Sequence, residues 1–133
     1  MDLLLDAARH ARDNARPDYS GFRVGAAIED SDGNIYPGCN IESASYGLTI
    51  CAERAALFAA IAHGAQTFRR IVVVADSKGE PTPPCGACRQ VMFDFCGPGL
   101  EVILADLKGA TKIFRLAQLF PEPFHAGLFR TPR

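Results

Sequence analysis

At 133 residues, with 48% apolar and 22% charged side chains, the chain has the make-up of one globular domain, residues 1–133, rather than two domains or a disordered segment. A net charge of −1, with the basic residues scattered, excludes the basic stripe that a nucleic-acid binder needs. The opening Met1-Asp2-Leu3-Leu4-Leu5-Asp6 has only a short leucine run between acids, so neither a secretory leader nor a membrane span is expected, and the cytoplasm is the expected compartment.

Leu4, Ala7, Ala8, Ala11 and Ala15 recur at helical spacing, which predicts an amphipathic helix over 3–15. Asp6, Arg9, Arg12 and Asp13 form its polar face, and Pro17 follows its end. Strands are expected over 22–28 and 35–39, joined by the turn Asp30-Ser31-Asp32-Gly33-Asn34. After a loop over 40–48, a helix is expected over 50–63, with Thr49 as N-cap and Gly64 as its stop. Residues 71–75 are continuously apolar and β-branched, as in a strand buried on both faces. A proline-rich loop over 76–84 precedes a helix over 85–95, strands over 100–104 and 112–114, and a short helix over 115–119.

The helix between strands 71–75 and 100–104 makes a right-handed parallel crossover. The next connection has seven residues, too few for a parallel return, so the last two strands should be antiparallel. The expected fold is α/β, a mixed five-stranded sheet between helices in three αβα layers.

Five cysteines are an odd number, ill-suited to a disulfide framework and better read as metal ligands or reactive groups. Cys39 and Cys96 read as small, buried apolar residues. Cys85 and Cys88, three apart at a helix start, share one face, and Cys51 stands in the first turn of another helix. Both helix N-termini favour thiolate over thiol. Three thiolates suit one zinc ion per chain and leave a coordination position for water, as catalytic zinc sites do. Glu53, two residues from Cys51, is expected to move protons without binding the metal. Three thiolates exceed the charge of a divalent cation, and a guanidinium on a ligand sulfur would withdraw the excess. Arg54 is favoured for that role over Arg89. His10, His63 and His125 are not expected to be ligands.

The pair Cys51-Ala52-Glu53 and Pro84-Cys85-Gly86-Ala87-Cys88 is similar to the signature of zinc-dependent base deaminases, with cysteine in place of the first histidine. Longer blocks sharpen the likeness: Tyr19-Ser20-Gly21-Phe22-Arg23-Val24-Gly25-Ala26-Ala27, Gly38-Cys39-Asn40-Ile41-Glu42, and Ala44 through Arg54. On these the chain resembles the small-subunit cytidine deaminases over nearly its whole length.

The resemblance implies hydrolysis of cytidine and deoxycytidine to uridine and deoxyuridine with release of ammonia, in pyrimidine salvage. It implies that Phe22 packs against the base and that Asn40 and Glu42 bind ribose hydroxyls, Glu42 taking the 3′-hydroxyl. It also implies that backbone groups around Ala52 and Pro84 meet the pyrimidine edge. The family's homotetramers share active sites, which would put Tyr46 near a subunit boundary and Phe124 against a neighbour's base. Zinc would bring the pKa of water toward about 7. Glu53 would take the water proton, pass it to N3 of the cytosine and then protonate the departing amine.

Asp18 stands where the family usually has proline, and Ser43 where asparagine is usual; Ser43 adjoins the sugar contacts. The tail 125–133 matches no family pattern and is assigned no role. Three other readings are weighed: a deaminase of a modified cytosine nucleoside, of the blasticidin type; a nucleic-acid-editing deaminase, disfavoured by the charge balance and the absence of an added binding segment; and a non-catalytic zinc-stabilised binding module.

Overall fold

A computed structural model describes residues 2–129; Met1 and residues 130–133 of the tail lie outside the described residues. The elements in chain order are α1 (Asp2–Asp13), β1 (Val24–Asp30), β2 (Ile35–Cys39), α2 (Ala52–Ala62), β3 (Phe68–Ala75), α3 (Gly86–Cys96), β4 (Glu101–Asp106), β5 (Thr111–Arg115) and α4 (Leu116–Leu119). Short 3₁₀ turns cover Tyr46–Leu48 and Ala126–Leu128.

The five strands form one sheet in the order β2-β1-β3-β4-β5. Strand β1 runs antiparallel to both β2 and β3, β3 and β4 are parallel, and β4 and β5 are antiparallel. The parallel crossover through α3 and the antiparallel final pair are as expected. Alternation along the strands serves both faces at once. Ile71 and Val73 join Val102 and Leu104 beneath α2, α3 and α4, whereas Val72 and Val74 join Ile103 beneath Leu4 and Ala8 of α1. Helices thus cover both faces, which explains why β3 reads as a continuous apolar run. Among the described residues, no helix is long and apolar enough to cross a membrane.

Two glycines set the helix positions. A Cβ at Gly25 would run into the Ala8 and Arg12 backbone, and one at Gly38 into the backbone of Ala52 and Ala56. Gly38 therefore lets the first turn of α2, which carries Glu53, lie directly on edge strand β2.

Several boundaries differ from expectation. Helix α2 begins at Ala52, and its N-cap is Cys51, not Thr49. Thr49 instead closes the 3₁₀ turn Tyr46–Leu48, and its Oγ1 accepts from the Ser43 N–H at 3.1 Å. Strand β1 starts at Val24 rather than 22, because the Asn40 side chain engages the Phe22 carbonyl and the Val24 N–H. Strand β3 extends back to Phe68, where an ion pair between Arg70 and Glu29 at 2.9 Å joins it to β1.

Candidate active site

The N-termini of α2 and α3 meet at one end of the sheet, and both open on a cysteine. Cys51 and Cys85 are the N-cap residues, with extended backbones at φ −73°, ψ 156° and φ −69°, ψ 166°. Cys88 lies in the first turn of α3 and is fully buried. The three Sγ atoms all lie within 4.8 Å of one another, with Cys51 and Cys85 at 3.7 Å. Among the described residues, no other set of three or more potential ligands gathers in this way, and no histidine joins this one. His63 caps α2, with Nδ1 2.8 Å from the Ala59 carbonyl, and His10 is exposed on α1. Cys39 ends β2 and Cys96 ends α3, each partly buried and apart from the cluster.

Zinc bound tetrahedrally to sulfur at about 2.3 Å separates two ligand sulfurs by about 3.8 Å. The observed spacing and the soft donor set fit that ion. The thiols interact strongly. Cys51 is lowered to about 5 by hydrogen bonding with Cys88 and then by Arg54 and Cys85, while the shared proton and burial push Cys88 up. Arg54 Nη2 donates to Cys51 Sγ at 3.4 Å, and its buried Nε has no partner among the described groups. Arg89 turns away from the sulfurs, donating to the carbonyls of Pro84 at 2.8 Å and Leu119 at 2.6 Å.

Glu53, 5% exposed, faces a cavity of about 220 Å³ beside the cysteines. Burial raises its carboxyl to about 7, with the negative Cys51 adding to the effect and Arg54 opposing it. Phe22, Asn40, Glu42 and Ala52 line the same cavity. The Asn40 amide is largely committed to backbone: Nδ2 donates to the Phe22 carbonyl at 2.8 Å and Oδ1 accepts from the Val24 N–H at 2.9 Å. Glu42 accepts from the N–H groups of Tyr19 and Ser20 and from the Ser20 hydroxyl, which hold its carboxyl below the usual range.

Not every expected residue lies on this wall. Thr82 and Pro83 line it, whereas Pro84 is buried behind them with its carbonyl on Arg89. Tyr46 lies in a wider, more open depression of about 410 Å³ that adjoins the cavity across Ser20, Glu42 and Thr49; there it packs edge-on against Tyr19 at 5.9 Å. Phe124 lies outside the cavity, stacked on Phe129 at 5.7 Å, with Gln90 donating to its carbonyl at 2.8 Å. Sequence reasoning assigned no role to Ser20, Thr82 or Pro83 and gave Thr49 only a helix cap, yet all four line the cavity. Ser20 and Thr49 carried a signal, their places in the blocks before Phe22 and Cys51.

Residues 1–103 match the family model of the cytidine and deoxycytidylate deaminase zinc-binding region. A cytidine deaminase of Sporosarcina psychrophila is 45% identical over 124 residues, which span 93% of this chain and 90% of that protein. Its counterpart from Halalkalibacterium halodurans is 48% identical over 124 residues, 93% of each chain. The crystal structure of a cytidine deaminase from Burkholderia pseudomallei superposes with a TM-score of 0.89 at 46% identity, covering 92% of this chain and 98% of that one.

Proposed function

The chain belongs to the cytidine deaminase family, and from that membership we propose how its residues divide the hydrolysis of cytidine to uridine and ammonia. It is a zinc enzyme of the small-subunit type. Cys51, Cys85 and Cys88 are the groups that would hold the ion, one per chain. Zinc bound there supplies a Lewis acid that makes water a nucleophile near neutral pH.

Glu53 is the proton carrier. A buried carboxyl near pKa 7 gives up and takes back protons at working pH with small driving force either way. It removes the water proton and delivers it to N3 of the base, then takes the proton of the new C4 hydroxyl and passes it to the amine, which leaves as ammonia while the C4 carbonyl forms. Arg54 draws excess charge from the thiolates through Cys51. Phe22 packs against the base, and the N–H of Ala52, in the first turn of α2 where backbone donors lack helical partners, is free to meet the pyrimidine edge. Asn40 retains one N–H and Glu42 one lone pair beyond their internal bonds, which suits them to ribose hydroxyls. Deoxycytidine is taken as well as cytidine.

The reading includes a cytoplasmic homotetramer in which Tyr46 and Phe124 serve neighbouring sites. Their exposures of 75% and 60% support a partner's covering them. The observation that carries the catalytic part is the buried Glu53 beside three gathered sulfurs. An ultraviolet assay on cytidine, with zinc determined on the same sample, tests it. Turnover with about one zinc per chain is expected; a zinc-loaded chain inert on cytidine rejects it.

A further inference from the structure

Four hydrogen bonds converge on one exposed loop. The Ser20 N–H and the Tyr19 N–H donate to Oε1 of Glu42 at 2.8 and 2.9 Å. The Ser20 hydroxyl donates to Oε2 of Glu42 at 2.5 Å and accepts from the Phe22 N–H at 3.0 Å. Gly21, at φ +72°, supplies the left-handed turn that folds Phe22 back toward Ser20, and its own N–H is held by the Pro17 carbonyl at 2.9 Å. The chain from Pro17 to Phe22 is thus wrapped around a carboxylate that lies far away in sequence.

We propose that Ser20 is a positioning residue that sets sugar selectivity, its hydroxyl fixing the Glu42 carboxylate so that a single acceptor site faces one ribose hydroxyl. This rests on the reading of Glu42 as the sugar acceptor. An ionised carboxylate has about four acceptor sites. Two on Oε1 are filled by the N–H groups, and Ser20 fills one on Oε2, so one remains. The N–H pair fixes only one oxygen and leaves the carboxylate free to turn about that anchorage. The hydroxyl on the second oxygen removes this freedom, so orientation depends on Ser20 in particular.

The same hydroxyl touches Phe22, but Phe22 has a second anchor, the Asn40 amide on its carbonyl, with Oδ1 of Asn40 on the next-but-one N–H. Loss of the Ser20 hydroxyl should therefore move the sugar contact far more than the base contact. A merely structural serine would weaken both alike.

The experiment compares zinc-loaded wild type with Ser20→Ala, Ser20→Thr and Ser20→Cys on cytidine and 3′-deoxycytidine. Loss of a hydrogen bond to a charged group should raise KM for cytidine about tenfold in Ser20→Ala, with kcat within about twofold. KM for 3′-deoxycytidine, which lacks the hydroxyl, should change by no more than about twofold, so discrimination between the two collapses. Ser20→Thr, which keeps the donor, should restore it, and Ser20→Cys, a weak donor of similar size, should fall between and serves if the alanine variant is poorly folded. A discriminating wild type whose ratio survives unchanged in Ser20→Ala and Ser20→Cys overturns the proposal alone. A wild type that deaminates cytidine and 3′-deoxycytidine equally well overturns the sugar role of Glu42, and the Ser20 proposal with it.

Discussion

Arg54 reaches back across the first turn of α2 to the residue that caps it, Nη2 donating to Cys51 Sγ at 3.4 Å. The other arginine beside a ligand, Arg89, bonds two carbonyls and no sulfur. The two have different work, and their variants should separate it. Arg54→Gln removes the charge from the sulfur, and changes around metal ligands cost about 10- to 100-fold in metal affinity or activity. A fall of that size in kcat of the zinc-loaded enzyme is expected, with the melting temperature of that loaded form little changed. Arg89→Gln should instead lower the melting temperature, since it frees the Pro84 loop and the end of α4. Equal kinetic losses in both variants would contradict this division.

Glu53→Gln keeps the shape and removes the titratable group. General acid–base catalysis is worth about 10² to 10⁴ in rate, and with several proton transfers passing through this one residue, as proposed, the loss should reach the upper end or beyond. Zinc content should stay near that of the wild type. Cys51→Ala should lose zinc and stability together, while Cys39→Ala and Cys96→Ala keep the metal. Zinc determination and cytidine turnover on the same preparations check all four variants.

Asp106 ends β4 with its side chain fully buried, and it anchors the loop that leads to Cys85. Burial alone would raise its carboxyl, but the N–H groups of Lys108, Ser77 and Gly79 and the Ser77 hydroxyl hold it down at about 2. The unfolded chain titrates this group near 3.9. A depressed folded pKa means that its contribution to stability is complete above about pH 4 and is lost as pH falls toward 2. Asp106→Asn should therefore melt lower than wild type at neutral pH, and the gap should close in that acid window. Melting curves at stepped pH give the result; a gap unchanged down to pH 2 refutes it.

The chemistry-bearing residues were legible because helix geometry ties them to short spacings. Cys85 and Cys88 must share a face, and Cys51 and Glu53 must share a helix start. What escaped depends on pairs distant in sequence. Nothing local in Asn40 announces that its amide pins Phe22 and Val24, or in Asp106 that it holds Ser77. The Thr49 cap failed for a local reason: a 3₁₀ turn uses Thr49, and the ligand Cys51 takes the cap position itself. The front of β3 was hidden by Arg69 and Arg70, whose charges are met by the Ser31 carbonyl and by Glu29.

Phe124 stacks on Phe129 with its carbonyl held by Gln90, and it remains 60% exposed. A neighbour's base stacking on it would be worth roughly 1–3 kcal/mol, by comparison with single-strand binders. Phe124→Ala should raise KM for cytidine correspondingly with kcat less affected. Light scattering should give a tetramer for the wild type; a fully active monomer would refute the shared site.

Glu42 should confine the enzyme to free nucleosides. Its carboxylate is half-buried, held ionised by the Ser20 hydroxyl and two N–H groups, and has one acceptor site left. On the proposed sugar role of Glu42, a 3′-hydroxyl fills that site as a donor. In a 3′-nucleotide or a polynucleotide the same oxygen carries phosphate, so the donor disappears and an anion faces an anion. Like charges juxtaposed at an interface cost several kcal/mol, and each 1.4 kcal/mol is about tenfold in affinity. Discrimination against 3′-phosphorylated substrates should then be on the order of a hundredfold or more. Glu42→Gln removes the repulsion while keeping a carbonyl acceptor, so it should narrow the gap chiefly by improving use of the phosphorylated substrate. Competition among cytidine, cytidine 3′-phosphate and a cytosine-bearing oligonucleotide decides the matter. Comparable kcat/KM on the oligonucleotide would reject the nucleoside assignment and favour a polynucleotide-editing enzyme.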